Sequence, residues 1–530
     1  MPAAPRSARR IVMLGVAALT VVSSLAVLPG AQAGSRGRAQ APIRPARAAT
    51  PDLIRRAEAT GDIGTVQAAR YLLWAFTAPN RVPSDYRSSA PWDGTLPLLR
   101  LQRSAANLGR GAAARAVRAG VHRLTTLPCR GAAGPLPARR RTRHFYVEYA
   151  PASLRGISIG GYSGALETTW RTEVGAFGWA APPRDPQLKV PGGRYLVRLE
   201  NLGPQLYGYV TSTHKVGNNP HTAWNDRDAV ASCMVLNQNF GPFPGTPKNA
   251  MRATVAHEFN HSLQFGYGAL SGPTKVKASW VEGGATWMED EVFDVSNDNY
   301  NYLWPDVRKP MPLFDPSFPY PYWVVFRAMT EPFGGSGRAL GGQRVFRAFW
   351  EQLSRNASTN SVAFNRAFKT VGSSLASAYH DAGIALRFLI PCGGSTAEPY
   401  CLEEGAAYAL AGSDNVDHGS VPAGTKSFKL ANDFATQWIG LPSAPVSPYT
   451  VTVHVTAGVG RLRVSLACLS SGTLTVLAVG TATPTSDASL GSYDPVAQGC
   501  DEVTAVVSNV KMTSPSPVIK TGTSYQIGLS

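Results

Sequence analysis

The segment Val255–Phe265, VAHEFNHSLQF, constrains the fold most strongly because it combines two histidines with a regular apolar pattern. Apolar side chains recur at every fourth position, which predicts a helix with one buried face: Met251, Val255, Phe259 and Leu263. Thr246 and Pro247 suit the N-cap and the first helical position. Gly266 and Gly268 follow the last apolar residues, so we predict that the helix ends there.

The two histidines and the adjacent glutamate form a candidate metal centre. His257 and His261 lie four residues apart on another face of this helix, so their imidazoles can converge on one ion. Glu258 is rotated by about 100° from His257 and is poorly placed as an equivalent ligand. This is the H-E-x-x-H arrangement, in which two histidines bind zinc and the glutamate is the general base. The alternative is a polar helix face without a metal, so the prediction needs a third ligand.

A third ligand is available in the stretch SWVEGGATWMEDE, where Glu282 follows the second histidine by twenty-one residues. Catalytic zinc needs three protein ligands and an open position for water, and a carboxylate on a second helix completes the set. Ser279-x-x-Glu282 is also a capping box, in which Glu282 bonds to the Ser279 amide instead. In that case Glu289 or Asp290 would be the ligand. Glu289 lies two turns along the same face and could equally accept a hydrogen bond from a ligand histidine.

The motifs H-E-x-x-H and W-x-E-G-x-A, which begin at His257 and Trp280, resemble those of the gluzincin branch of zinc metallopeptidases. More closely, AHEFNHSLQFGY, WVEGGATWMEDEV, NDNYNYL and YPYWVVFRAMTEPFG resemble a family of uncharacterised exported bacterial metalloproteases. The resemblance runs from about Asp52 to Leu389 and favours Glu282 as the third zinc ligand. It implies a zincin-like catalytic domain with a helical region before it and a β-rich region after it. Gly283-Gly284 departs from a good helix beside the proposed ligand.

The implied activity is metal-assisted hydrolysis of peptide bonds. Glu258 would take a proton from a zinc-activated water and pass it to the leaving amine. Related enzymes often add a tyrosine or histidine that stabilises the oxyanion, and Tyr320 is the first candidate here, with Tyr322 next. Both could instead be aromatic residues at the wall of a core. His214 and His221 lie in polar, loop-like sequence and are predicted to be surface residues.

The formal charge of +17 suggests nucleic-acid binding, but its distribution argues against it. Residues 34–143 contain twenty arginines and five acidic residues, and residues 1–33 contain three arginines. The remaining residues, 144–530, are therefore close to neutral and have no basic excess for a phosphate backbone. We predict no nucleic-acid partner.

The first 33 residues predict an export signal, with an arginine-containing start, an apolar stretch from Ile11 to Leu28 and a small-residue site at Ala31-Gln32-Ala33. We therefore expect a secreted or cell-surface protein with no stable membrane insertion after signal cleavage; an uncleaved anchor is the alternative. Six cysteines in an exported chain suggest up to three disulfides, with fifteen possible connectivities. Proximity in sequence favours Cys392–Cys401 and Cys468–Cys500, which leaves Cys129 with Cys233.

The pattern predicts an α+β chain with four parts: a signal peptide (1–33), an Arg-rich N-terminal helical region (34–143), a zincin-like metallopeptidase domain (144–424) and a β-sandwich-like domain (425–530). Residues 34–50 are expected to be a flexible linker. Strands are expected in HFYVEYAP, GRYLVRLENL and ASCMVLNQNF, and helices from about Tyr322 to Leu389. The loop-like stretch Cys129–Arg143 is either a solvated linker or a processing site that separates a pro-segment from the enzyme.

These features predict an exported zinc endopeptidase that acts on protein or peptide substrates. One alternative is a secreted or cell-surface binding protein on a zincin scaffold, whose C-terminal β-domain contacts cell wall or carbohydrate. Another is a zymogen in which residues 34–143 cover the cleft, with Cys129 as a possible zinc ligand. Glu258 favours the enzyme, because a binding module does not need a general base beside its metal.

Overall fold

Four helices at the N-terminal end pack on one face of a mixed β-sheet, whose other face carries the motif helix. The computed structural model describes residues 48–130, 136–268, 270, 276, 278–303, 319–334, 339–356, 359–392, 400–410, 418–430, 434–443, 448–512 and 522–530. The predicted export signal and residues 34–47 of the predicted linker lie outside these ranges. Within them, no helix is long and apolar enough to cross a membrane.

The N-terminal helices confirm the predicted helical region. They are α1 (Thr50–Thr60), α2 (Thr65–Thr77), α3 (Thr95–Asn107) and α4 (Ala112–Arg130). Their apolar faces, which include Leu72, Leu98 and Val117, form one hydrophobic core with Tyr209 and Val235 of the sheet. This region is therefore packed on the sheet over a wide apolar surface.

The central sheet contains three parallel strands with an antiparallel strand at each edge. The order of its strands is β1-β2-β3-β5-β4. Their bounds are β1 (Ala138–Arg141), β2 (Phe145–Tyr149), β3 (Tyr195–Glu200), β4 (Gly208–Gly217) and β5 (Ala229–Asn237). Strands β2, β3 and β5 confirm the three predicted ones.

Two assignments around this sheet are wrong. The basic residues Arg139, Arg140 and Arg141 lie in β1, which pairs with β2, rather than in a loop. Strand β4, which contains His214, was predicted to be loop. Both are edge strands of largely polar sequence, and their strand conformation depends on pairing with a neighbour that local sequence does not reveal.

Two helices lie on the face of the sheet opposite the N-terminal helices, and a third packs against one of them. Helix α5 (Ile159–Trp170) continues as a π-helical turn over Arg171–Ala176, and α6 (Pro247–Gly266) carries the histidine motif. Helix α7 (Ala278–Val292) packs against α6. Alternation along β5 explains the two layers, because Met234 and Leu236 join the core beneath α6 while Val235 joins the N-terminal core.

The predicted helices from Tyr322 to Leu389 are confirmed, and the predicted all-β region follows them. The helices are α8 (Tyr322–Thr330), α9 (Ala339–Asn356), α10 (Asn360–Lys369), α11 (Leu375–Phe388) and the short α12 (Gly405–Leu410). The glycine-rich stretch predicted to interrupt them lies partly inside α9, which begins at Ala339. The chain then forms β6 (Gly424–Leu430), β7 (Ala435–Leu441), β8 (Tyr449–Ala457), β9 (Leu462–Ser470), β10 (Thr473–Ala482), β11 (Ala488–Tyr493), α13 (Pro495–Gln498), β12 (Glu502–Asn509) and β13 (Thr523–Leu529).

The C-terminal strands form two four-stranded antiparallel sheets, β10-β9-β12-β7 and β11-β8-β13-β6. Their buried faces share one core, to which Val464 and Val507 contribute from the first sheet and Val453 and Ile527 from the second. The first sheet also contacts α11. There the Trp438 indole N–H donates to the Gly383 carbonyl oxygen at 2.9 Å. The chain thus contains both helices and strands, and the strands form separate sheets, which confirms the α+β class.

Three disulfides join the six cysteines in the predicted pairs. Cys129 in α4 pairs with Cys233 in β5, Cys392 pairs with Cys401, and Cys468 pairs with Cys500. The alternative use of Cys129 as a zinc ligand is therefore wrong. The first disulfide also ties the N-terminal helices covalently to the sheet.

Candidate metal centre

Helix α6 has the predicted boundaries and the predicted buried face. It begins at Pro247 after Thr246, whose hydroxyl accepts a hydrogen bond from the Asn249 amide at 3.2 Å. The apolar stripe packs into the core beneath the sheet, and the polar residues of the motif are also fully buried. Burial of His257 and His261 requires partners for all four ring nitrogens.

Two histidine nitrogens and one carboxylate oxygen meet at a single point. The Nε2 atoms of His257 and His261 lie 3.1 Å apart. The Oε2 atom of Glu282 lies 3.1 Å from the first and 3.4 Å from the second. Ligands about 2.0–2.1 Å from a tetrahedral zinc are about 3.3 Å from one another, so this triangle has the size of one face of a zinc site. The sequence-predicted ligands are thus brought together.

Helix α7 brings Glu282 to the histidines, and the two glycines beside it have a packing reason. A Cβ at Gly284 would lie 2.4 Å from the ring of Phe346, and one at Gly283 would lie 2.9 Å from the ring of Phe326. These aromatic rings from α8 and α9 therefore lie directly on the backbone of α7. Ser279 is a helical residue of α7 rather than its N-cap, so the capping-box alternative is not what the helix shows.

The other acidic candidates on α7 have different partners. Glu289 Oε1 lies 2.7 Å from His257 Nδ1, so it accepts the N–H on the side of the ring away from Glu282. Asp290 pairs with the Arg327 guanidinium. The geometry therefore favours Glu289 as the group that orients His257, and it places Asp290 outside the set of ligands.

A chain of three buried side chains orients the second histidine, and sequence reasoning did not find it. His261 Nδ1 donates to Gln264 Oε1 at 2.9 Å, and Gln264 Nε2 donates to Asn260 Oδ1 at 2.8 Å. Asn260 Nδ2 in turn donates to Glu173 at 2.8 Å, in the π-helical turn. The four-residue spacing of Asn260 and Gln264 on α6 could have indicated from sequence that they share a helix face with each other, whereas no sequence feature near Glu173 indicated that it belongs to the site.

The orientation of both rings makes the centre suited to a cation. Because each Nδ1–H donates to an oxygen, the neutral form of each ring presents a lone pair at Nε2 towards the other ring and towards Glu282. Three converging acceptors without a positive charge would repel one another. Burial lowers the pKa of His257, but Asp93, Glu282 and Glu289 outweigh it and hold that pKa well above its usual value. The surroundings thus favour positive charge at this point, and the donor set fits zinc.

Glu258 points to the same region and is held by a residue of the N-terminal helices. Its Oε2 atom accepts a hydrogen bond of 2.6 Å from the Thr95 hydroxyl, whereas its Oε1 atom is buried without a hydrogen-bond partner among the described residues. Burial raises the pKa of Glu258 to about 7. Burial also acts on Glu282, but the two histidines lower its pKa to about 2. One carboxylate therefore stays ionised while the other can exchange a proton near neutral pH.

Asp93 is a second N-terminal residue at the centre that sequence reasoning missed. Its carboxylate lies within 4.8 Å of ligand atoms of both His257 and Glu258, and only 3% of Asp93 is exposed. The Tyr302 hydroxyl donates to Asp93 Oδ2 at 3.1 Å. Asp93 is separated from the motif by more than 160 residues, so no local pattern could have revealed it.

The aromatic candidates differ in their positions. The ring of Tyr320 lies 6.2 Å from the His257 ring and stacks on Tyr302 at 4.8 Å, so Tyr320 is near the centre. Tyr322 is buried, and its Cβ lies 3.0 Å from where a Cβ of Gly283 would be, so it packs against α7. His214 is half-buried in β4, and His221 is exposed as predicted.

No protein-family model and no curated protein matches this chain. A solved structure described as the crystal structure of PirA is similar, with 12% identity over 21% of this chain and 96% of that chain, and a TM-score of 0.16. A likeness of this size carries no argument about fold or function. The interpretation of the site therefore depends on its own geometry.

Proposed function

We propose that this protein is a zinc-dependent endopeptidase of the gluzincin type, with a zincin-like catalytic domain. The observation that supports this most directly is the triangle of His257 Nε2, His261 Nε2 and Glu282 Oε2, with sides of 3.1–3.4 Å. A carboxylate oxygen of Glu258 lies within 4.8 Å of a ring nitrogen of His257, which suits a general base beside the metal. A metal held by these ligands, with this base beside it, would support hydrolysis by an activated water.

Each residue around the centre would have its own role in peptide hydrolysis. A bound zinc would supply a water of lowered pKa and an electrophile for the substrate carbonyl. The Glu258 carboxylate, held through one oxygen by Thr95, accepts the proton of the attacking water at its other oxygen and returns it to the leaving amine. Tyr320 is our candidate for a donor to the oxyanion, since its ring lies beside His257.

We propose that the protein works outside the cytoplasm on protein or peptide substrates. Three disulfides fit an oxidising compartment, which agrees with the predicted export signal. The two C-terminal sheets are the part of the chain in which we propose a contact with cell wall or carbohydrate.

A second function is favoured by the enclosure of the centre. The four side chains His257, Glu258, His261 and Glu282 are completely buried, and Asp93 lies beside His257 and Glu258. Structural zinc sites have four protein ligands and no open position, so such a centre would also suit a secreted or cell-surface binding protein with little proteolytic activity.

Zinc content and peptide hydrolysis distinguish the two functions. We expect about one zinc per chain in the wild type and in the Glu291→Ala control on the same helix, and much less zinc in Glu282→Ala. Casein hydrolysis is measured in four proteins: the wild type, Glu258→Gln, Asp93→Asn and the double variant. Asp93→Asn is included because Asp93 lies beside the buried centre. An endopeptidase loses hydrolysis but keeps zinc when Glu258 is replaced.

Either of two results would overturn the proposed endopeptidase. Undiminished zinc in Glu282→Ala would remove Glu282 from the site. Stoichiometric zinc without hydrolysis in every variant, including Asp93→Asn, would assign the chain to the binding proteins.

A further inference from the structure

The segment from Trp92 to Thr95 lies along the sheet edge beside the metal centre as an added strand would. The Trp92 amide donates to Gln205 O at 2.8 Å, and the Trp92 carbonyl accepts from the Tyr207 amide at 3.1 Å. The Gly94 amide then donates to Gly208 O at 2.8 Å. Extended peptides bind to free sheet edges through this kind of backbone pairing. The segment therefore occupies the free side of the chain that leads into edge strand β4.

This sheet edge is directly adjacent to the general base. A Cβ at Gly208 would lie 3.3 Å from Glu258 Cγ, so a backbone paired with Gly208 lies close to the general base. Thr95 continues the contact, because its hydroxyl accepts from the Val210 amide at 2.7 Å. With that acceptor position used, the hydroxyl proton is directed to Glu258 Oε2. The same segment thus pairs with the sheet and holds the base.

Asp93 brings a carboxylate of this segment to the edge of the centre, on the side of His257 and Glu258. Its carboxylate lies within 4.8 Å of ligand atoms of His257 and Glu258, and Tyr302 fixes it from the other side. It belongs to a different cluster from His257, His261 and Glu282, so it lies beside the three ligands and against the base. A buried carboxylate is also stabilised when it faces a cation.

We propose that residues 92–95 are an internal inhibitor, in which the Asp93 carboxylate occupies the space beside His257 and the base Glu258 and the backbone occupies the edge where a peptide substrate would pair. The inference rests on the proposed function, since it assumes a metal at His257, His261 and Glu282. It explains why an intact set of ligands and an intact base are fully buried. Activation then requires that this segment leave the sheet edge.

The covalent structure limits how that can happen. The Cys129–Cys233 disulfide joins α4 to β5, so a backbone cut near Arg139–Arg143 leaves the N-terminal helices attached. Those helices also share a core with the sheet. A cut at the basic residues is therefore insufficient for release, and the segment itself must be displaced.

The test uses the full chain loaded with Co²⁺, whose visible absorption reports the ligands, and acetohydroxamate as a small metal-binding probe. Asp93→Asn removes the carboxylate charge beside His257 and Glu258. Gly94→Ala displaces the segment without altering any metal ligand, because its Cβ would lie 2.8 Å from Gly208 O. Gly109→Ala is the matched control, since a Cβ there meets nothing within 4 Å. Circular dichroism identifies any variant that fails to fold. If one of the two variants fails to fold, the test is made with the other one.

We expect the cobalt spectrum of the wild type and of Gly109→Ala to respond weakly to acetohydroxamate. Asp93→Asn and Gly94→Ala should bind it at least about tenfold more tightly, because apparent affinity falls with the fraction of open sites. A wild-type affinity equal to that of both variants would overturn the internal inhibitor while leaving the metal centre intact. Absence of cobalt from every variant would instead overturn the proposed function, and the inhibitor with it.

Discussion

Replacement of Glu289 by glutamine tests how far the metal centre depends on the group behind His257. In the wild type the His257 Nδ1–H donates to Glu289 Oε1 at 2.7 Å in a fully buried setting. Glutamine retains an oxygen acceptor at this position, so the ring keeps its tautomer. The charge on the acceptor is lost, and a charge-assisted hydrogen bond is about twice as strong as a neutral one.

The expected loss of zinc affinity follows from this difference. Groups that orient a ligand histidine typically contribute about 10- to 100-fold to metal affinity. For Glu289→Gln we expect the lower end, about tenfold or about 1.4 kcal/mol, because one hydrogen bond persists in weaker form. For Glu289→Ala we expect about 100-fold, because the Nδ1–H would be buried without an acceptor.

Competition with a chromophoric chelator measures the zinc dissociation constant of each variant. Glu291→Gln is the matched control, because Glu291 lies on the same helix but accepts a hydrogen bond from the Trp287 indole at 2.8 Å. It should leave zinc affinity unchanged. Equal zinc affinity in the wild type and in Glu289→Ala would refute the claim that Glu289 orients His257.

Three further predictions concern stability. Gly284→Ala should lower the free energy of unfolding by about 1–3 kcal/mol, because its Cβ would overlap the Phe346 ring. Gly164→Ala in α5, whose Cβ would meet nothing within 4 Å, should raise the free energy of unfolding by up to about 1 kcal/mol. Equal effects of the two substitutions in urea unfolding would contradict the packing argument. Burial, aided by Arg463, lowers the pKa of His380 to about 3. Below about pH 6.5, the unfolded chain therefore binds a proton at this residue that the folded chain does not bind. As a result, the free energy of unfolding falls as the pH falls towards 3. His380→Gln should reduce the stability lost between pH 7 and pH 5 by about 2 kcal/mol, and an unchanged pH dependence would count against it. Replacing both Cys129 and Cys233 by alanine should cost about 2–5 kcal/mol, and a smaller shift in the unfolding midpoint than in the Cys392/Cys401 double variant would speak against the tether.

The amino-acid sequence determined the features that depend on local periodicity. The boundaries of α6, its buried stripe and the shared face of His257 and His261 follow from the helical repeat. The C-terminal strands and the three disulfide pairs were also predictable, the strands from alternation and turn residues.

Tertiary structure decided the positions of the other groups at the centre. Glu282 and Glu289 both had the right spacing, and the packing of α7 against α6 decided that Glu282 faces the two Nε2 atoms while Glu289 accepts from His257 Nδ1. Asp93 reaches the motif from a distant part of the chain, through the pairing of its segment with the sheet edge. Such contacts depend on how apolar faces pack, and that information is spread over the whole chain.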